Sequence, residues 1–183
     1  MVGNGGVLLI KKADLLDAAL RIIDKEGINK FTLDAIALEA GISKGGLIHH
    51  FSNKEELIRA LNEQSVVRFK KLLLDEFELT NNYAQSYAAA TFKQWDNSNP
   101  VRADLSMLAA LTNKKELLHL WESEYQTLRQ KLNEESISVE NGLVIRLLCD
   151  GLIFSKMFNI DPLTNEETDS VLQYISRLVQ DKP

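Results

Sequence analysis

The sequence predicts an all-α protein with about nine helices, and three observations support this prediction. Apolar residues recur at helical spacing along almost the whole chain. No segment alternates apolar and polar residues between turn signals, as a strand would. Glycine and proline are scarce, with 9 and 3 among 183 residues. The predicted helices span residues 12–26, 32–40, 43–50, 53–79, 82–96, 101–112, 114–135, 139–158 and 165–181.

Local signals set the helix boundaries. Gly27 is a suitable end for the first helix, because glycine accepts the backbone conformation of a helix C-terminus. Thr32 and Ser43 are N-cap residues for the second and third helices. Asn53 begins the fourth, with Glu56 three residues later in a capping-box-like arrangement. The later helices are separated by short polar runs, at 81–82, 96–100, 136–138 and 161–162.

The composition is that of an ordinary globular protein, with 45% hydrophobic and 26% charged residues, which excludes a disordered or fibrous chain. The single cysteine, Cys149, cannot form an intrachain disulfide and favours a reducing compartment. No signal peptide is predicted, because the apolar run 7–10 is short and lacks a preceding basic stretch. No membrane span is predicted either, so we expect a cytoplasmic protein.

The charge is unevenly distributed along the chain. The net charge is −5. Residues 1–54 contain seven Lys/Arg and six Asp/Glu, a net charge of +1, and the remainder carries −6. The N-terminal third is therefore mildly basic and the rest of the chain is acidic.

The segment 32–51 has the spacing of a helix-turn-helix motif. Two short helices meet at residues 40–43, where Gly41 supplies the positive φ that a tight turn between crossed helices needs. In such a motif the second helix enters the major groove. Lys44 is expected to reach a phosphate or a guanine edge, and His49 a phosphate or a base. The candidate DNA contacts are Thr32, Ser43, Lys44, Gly45, Gly46, Ile48, His49 and Lys54.

Two of these assignments have a structural alternative. Gly45 and Gly46 let the helix backbone approach DNA closely, or are merely tolerated in a short helix held by Leu47 and Phe51. Lys54 supplies a charge at a helix N-terminus that suits phosphate, or is a solvated lysine.

Residues 12–57 resemble the DNA-binding domain of TetR (tetracycline-repressor-like) regulators. The matching segments are 26–27, 31–32, 36–37, 40–45, Leu47, 50–51 and 54–57. The resemblance implies a homodimer with a helix-turn-helix DNA-binding domain at 1–54 and a helical effector-binding and dimerisation domain at 55–183. The small molecule bound by the C-terminal domain would control DNA affinity. It also implies contacts from Thr32, Ser43, Lys44, Gly46, His49 and Lys54, with His50 orienting the loop and Phe51 sealing the core. The family often has threonine at the position of Gly46 and tyrosine at that of Ile48; Ile48 can still contact a thymine methyl group.

The last two predicted helices are apolar on more than one face. Such helices require a second covering surface, and the resemblance implies that they pair with their copies in a dimer. The alternative is that they only form the core of one chain. The candidate interface residues are Leu147, Gly151, Met157, Val171, Ile175 and Leu178.

Large apolar side chains on the later helices are candidate walls of an effector pocket. These are Phe69, Phe92, Trp95, Met107, Leu111, Trp121 and Phe154. Each is also compatible with simple core packing. Few ionisable residues interrupt these stripes, which favours a neutral or lipophilic effector.

The sequence therefore predicts a ligand-responsive transcriptional regulator, a repressor that binds a near-palindromic operator as a homodimer and is released by a small molecule. The alternative is a helical protein-interaction module of the same fold without effector control; an enzyme without a recognised motif is a weaker third option. No catalytic motif, metal site or cofactor is predicted. His49 and His50 are adjacent, so on a helix they point about 100° apart and form a poor metal pair.

Overall fold

The computed structural model describes residues 11–94, 119–158 and 160–180. They form eight α-helices and no strand, with a short 3₁₀-helix at Ile28–Lys30, so the predicted all-α class is confirmed. The helices are α1 (Lys12–Glu26), α2 (Leu33–Glu39), α3 (Lys44–His50), α4 (Lys54–Thr80), α5 (Tyr83–Gln94), α6 (His119–Glu134), α7 (Val139–Phe158) and α8 (Asn165–Gln180). The predicted helix 101–112 and the start of 114–135 lie outside the described residues.

The chain divides into two compact units, the first ending at Leu61 and the second beginning at Asn62. The division falls inside α4, whereas the predicted domain boundary between residues 54 and 55 falls at its start. That boundary remains a prediction.

The first unit is built on the apolar face of α1, which packs against α2. Gly27 ends α1 with a φ of 79°, and its N–H donates to the Ile23 carbonyl at 2.9 Å. Two phenylalanines, Phe31 and Phe51, are almost completely buried. Burial of these rings and of the aliphatic side chains around them stabilises the packing of α1, α2 and α3.

The second unit is centred on α5, which contacts α6, α7 and α8. Ala84, Ala88 and Ala90 are completely buried, and such small side chains allow neighbouring helices to approach closely. The core continues through Ile145 and Cys149 of α7.

A carboxylate just after α6 caps the start of α5. Glu135 accepts hydrogen bonds from the Tyr83 backbone N–H and from the Asn82 side-chain amide, both at 2.6 Å. The first N–H groups of a helix have no partner within it, so this contact satisfies one of them and ties two distant segments together. Within the described residues, no helix is long and apolar enough to span a membrane.

Candidate nucleic-acid interface

The turn between α2 and α3 forms as its sequence predicts. Thr32 caps α2, its Oγ1 accepting from the Ala35 N–H at 3.2 Å, and Ser43 caps α3, its Oγ accepting from the Gly46 N–H at 3.1 Å. Gly41 has a φ of 69°. These three predictions are confirmed. The turn fixes the direction in which α3 leaves α2.

One side of α3 is anchored and the other faces outward. Leu47 of this seven-residue helix is completely buried, and Phe51, the residue that ends it, is almost completely buried. These two side chains anchor the inner side of α3. Lys44, Ile48 and His49 are exposed. The outer side of α3 is therefore accessible from solvent.

The remaining predicted contacts lie on or beside this helix-turn-helix. Thr32, Ser43, Gly45 and Lys54 are exposed, and Gly46 is half-buried. Lys54 begins α4, and its Nζ lies 5.2 Å from the centre of the Phe31 ring. A cation over an aromatic face is attracted to it without losing its charge, so Lys54 keeps its charge for an external anion.

The packing at the two glycines of α3 differs. A Cβ built at Gly45 would come no closer than 3.9 Å to its nearest neighbour, Ser43 Oγ, whereas at Gly46 the same atom would lie at 3.4 Å. A side chain at Gly46 would therefore touch the capping hydroxyl of Ser43, whereas Gly45 has room for a side chain.

An ion pair across the motif was not predicted from the sequence. Lys44 Nζ lies 2.9 Å from Asp34 Oδ2, and both side chains are exposed. Asp34 lies in the first turn of α2, and Lys44 is the first residue of α3. A second pair joins α1 to α2, since Arg21 Nε lies 2.6 Å from Glu39 Oε1, and this hydrogen bond lowers the pKa of Glu39.

The start of α4 is also capped by side chains. Asn53 Oδ1 accepts from the Glu56 N–H at 2.9 Å, and Glu56 Oε2 accepts from the Ser52 N–H at 2.7 Å and the Ser52 hydroxyl at 2.9 Å. These bonds from Ser52 lower the pKa of Glu56. The predicted bond between Asn53 and the Glu56 N–H is therefore formed, whereas the Glu56 carboxylate accepts from Ser52 rather than from the Asn53 N–H.

The candidate pocket residues are not all in similar surroundings. Phe92 is buried, and Phe69 packs against the same core with its ring 5.8 Å from that of Tyr87. Trp121 is half-buried and donates to Asn62 Oδ1 at 3.1 Å, the partner that a buried indole needs. Trp95, Met107 and Leu111 lie outside the described residues.

Phe154 is the exception among these pocket candidates. It is 56% exposed, and its ring centre lies 4.9 Å from that of Phe158, with the two ring planes inclined at 50°. A wall of an enclosed pocket would be buried, so Phe154 fits the exposed apolar side of α7 better than a pocket.

The candidate interface residues occupy three different positions. Leu147 is 58% exposed and Gly151 is exposed, whereas Val171 and Leu178 are half-buried against the core. Ile175 is completely buried within the single chain. It therefore supports α8 from inside and offers no surface to a partner. The side chain of Met157 lies outside the described residues.

A polar group joins α6 to α7. The Tyr125 hydroxyl donates to Asp150 Oδ1 at 2.6 Å, and Arg146 Nε lies 3.8 Å from Asp150 Oδ2. Next to it, burial raises the pKa of Cys149 to about 12, so this thiol remains protonated and unreactive at neutral pH. Within the described residues, no group of three or more His, Cys, Asp or Glu could hold a metal ion.

The fold and the exposed second helix of the motif define a helix-turn-helix DNA-binding protein. The family model described as "Bacterial regulatory proteins, tetR family" matches residues 15–61, and that described as "Tetracyclin repressor-like, C-terminal domain" matches residues 81–180. The chain belongs to the TetR family of transcriptional regulators. Members of this family are DNA-binding regulators and not enzymes.

Individual relatives agree with this assignment. The HTH-type transcriptional regulator BetI of Burkholderia thailandensis is 42% identical over 55 residues, which cover 30% of this chain and only 28% of BetI. The multidrug binding protein EbrR, solved with imidazole, has a TM-score of 0.70 at 16% identity, covering 100% of this chain and 98% of that one. A TetR-family member from Streptomyces coelicolor A3 has a TM-score of 0.71 at 17% identity, covering 89% of this chain and 96% of that one. These structures share the fold.

Proposed function

We propose that this TetR-family regulator is a cytoplasmic repressor that binds a near-palindromic operator as a homodimer and is released by a small-molecule effector. The main support for DNA binding is the geometry of α3. Buried Leu47 fixes the helix, while Lys44, Ile48 and His49 are exposed on its outer side. Lysine and histidine can contact phosphates and base edges, and isoleucine can contact a thymine methyl group.

The packing at Gly45 supports close approach of α3 to DNA. Glycine in a helix costs about 1 kcal/mol relative to alanine, and the chain has room for a side chain at this position. Packing within the chain therefore gives no reason for glycine here. A requirement imposed by the bound duplex does give one, because a Cβ at Gly45 would hold the backbone away from the groove.

The exposed side of α7 supports the homodimer. Leu143, Leu147, Phe154 and Phe158 are all substantially exposed large apolar residues of this one helix, and a contiguous apolar surface of this kind is typical of an interaction site. Leu147 and Gly151, with Val171 and Leu178 at the edge of α8, form the proposed interface. A dimer would place two copies of α3 about 34–36 Å apart, one turn of DNA.

Aromatic side chains in the second unit support a lipophilic effector. Phe69, Phe92 and Trp121 lie partly or fully buried there, and pockets for small molecules are mostly apolar and aromatic. The structural relative EbrR has been solved in complex with malachite green. A coupling of about 1–3 kcal/mol between effector and DNA is enough to change operator occupancy.

Mutation of the recognition helix tests DNA binding. Tight-binding duplexes are selected from a random library with the full chain, and affinities are measured by fluorescence anisotropy. Because each base or phosphate contact contributes about 1–3 kcal/mol, Lys44→Gln with His49→Gln should weaken binding at least tenfold. Arg129→Gln, an exposed cation of α6, is the matched control and should change it less than twofold.

Three results would contradict the proposal at different points. Unchanged affinity of the double variant would show that α3 is not the DNA-contacting element. Failure of the wild-type chain to select any duplex, even at low salt, would favour a protein-interaction module. If a panel of lipophilic compounds neither raises the melting temperature nor changes DNA affinity, control by such effectors is wrong.

A further inference from the structure

We propose that Asp34 acts as an electrostatic brake on DNA binding, by holding Lys44 away from the phosphate backbone. The inference rests on the proposed function, since it assigns a role within the same surface. Its basis is the 2.9 Å contact between Lys44 Nζ and Asp34 Oδ2, which links the first residue of α3 to the first turn of α2. Asp34 itself is not among the residues expected to touch DNA.

The pair occupies the position at which a backbone phosphate would bind. Thr32, whose hydroxyl caps α2, lies two residues before Asp34, and Ser43, whose hydroxyl caps α3, directly precedes Lys44; both are proposed phosphate or base contacts. An approaching phosphate therefore has to compete with a carboxylate that is already in contact with Lys44.

Asp34 weakens binding of a phosphate to Lys44 in two ways. The phosphate must replace an existing ion pair, and the displaced carboxylate then remains close enough to repel it. An interaction between unit charges a few ångströms apart in a water-like surrounding corresponds to about a fivefold change in Kd. Both side chains are more than half exposed, so this water-like value is the appropriate one.

Lys54 provides an internal comparison for Lys44. Its Nζ lies over the Phe31 ring at 5.2 Å, and an aromatic ring does not neutralise a cation. The proposed interface thus contains one lysine held by a ring and one held by a carboxylate. Only removal of the carboxylate should release additional charge for DNA.

The brake acts on the part of the affinity that does not depend on sequence. Phosphate contacts supply most of the non-specific binding of such proteins. A regulator with weaker backbone binding leaves DNA more readily, so a modest coupling to an effector can shift its occupancy. Asp34 would in this way set the affinity range in which an effector can act.

Asp34→Asn in the full chain tests the proposal. Binding to a fluorescein-labelled 30-base-pair duplex of random sequence is measured by anisotropy between about 50 and 300 mM KCl. The variant should bind about fivefold more tightly near 100 mM. Its plot of log K against log salt concentration should be steeper by about one, since one more phosphate contact is formed.

Two further variants separate the local pair from the net charge. Asp24→Asn makes the same change of charge at an exposed position of α1 and should alter the affinity less than twofold. In a Lys44→Gln background, Asp34→Asn should lose most of its effect. Equal tightening by Asp24→Asn, or a full effect of Asp34→Asn without Lys44, would overturn the brake.

Failure of this inference can be distinguished from failure of the proposed function. If the wild-type chain binds the random duplex with a normal salt dependence and Asp34→Asn binds equally or more weakly, the brake alone is refuted. If the wild-type chain binds no duplex at about 50 mM salt, the DNA-binding proposal is refuted together with it. Far-UV circular dichroism of each variant confirms that helix content is unchanged.

Discussion

The turn glycine Gly41 and the recognition-helix glycine Gly45 should respond to alanine in opposite directions. Gly41 has a φ of 69°, and a Cβ there would meet nothing within 4 Å. The whole cost of Gly41→Ala is therefore backbone strain, about 1–2 kcal/mol for a left-handed residue with a side chain. Gly45→Ala has no such strain and should stabilise α3 by about 0.4–1 kcal/mol, because alanine restricts the unfolded chain.

Hydrogen exchange measured by mass spectrometry suits this comparison. The first unit contains no tryptophan or tyrosine up to Leu61, so intrinsic fluorescence does not report on it. Peptides covering residues 33–50 should exchange faster in Gly41→Ala and more slowly in Gly45→Ala, relative to the wild-type chain. Equal destabilisation by both substitutions, or no effect of Gly41→Ala, would show that the positive φ does not hold the turn.

Two further predictions concern the surface of α7 and the cap of α4. Leu147→Glu should convert a dimer to a monomer in light scattering without changing the helix content in far-UV circular dichroism, because Leu147 is 58% exposed within one chain; persistent dimers would exclude this face, while Ile175→Ala in the core should cost about 2–5 kcal/mol of stability. The lowered pKa of Glu56 stabilises the fold above the ordinary carboxylate range, and this contribution is lost as pH falls through the folded-state pKa. Glu56→Gln should therefore show a flatter fall in urea midpoint between about pH 5 and 3, and an unchanged slope would contradict this.

Local sequence signals predicted the recognition motif well. The N-caps at Thr32 and Ser43 and the positive φ at Gly41 each depend on residues at most a few positions away. A threonine or serine hydroxyl that caps a helix, or a glycine that turns the chain, acts within one turn of backbone. Such features are therefore readable without knowledge of the tertiary fold.

Contacts between distant segments were not predictable in the same way. Lys44 and Asp34 are ten residues apart, and Glu135 caps α5 from 52 residues away. Both depend on how helices cross, which periodicity does not specify. The same limitation affected α7 and α8, because apolar spacing alone did not distinguish exposed Leu147 from buried Ile175.

Three glycines of this chain differ in whether the chain's own structure explains them. At Gly41 the backbone itself demands glycine. At Gly45 and Gly151 it does not: neither has a positive φ, and a Cβ would meet only Ser43 Oγ at 3.9 Å in the first case and nothing within 4 Å in the second. Both lie on exposed helix faces, where alanine would be favoured by about 1 kcal/mol. The proposed close approach of DNA to α3, and of a second α7 to the apolar face around Gly151, would account for both glycines.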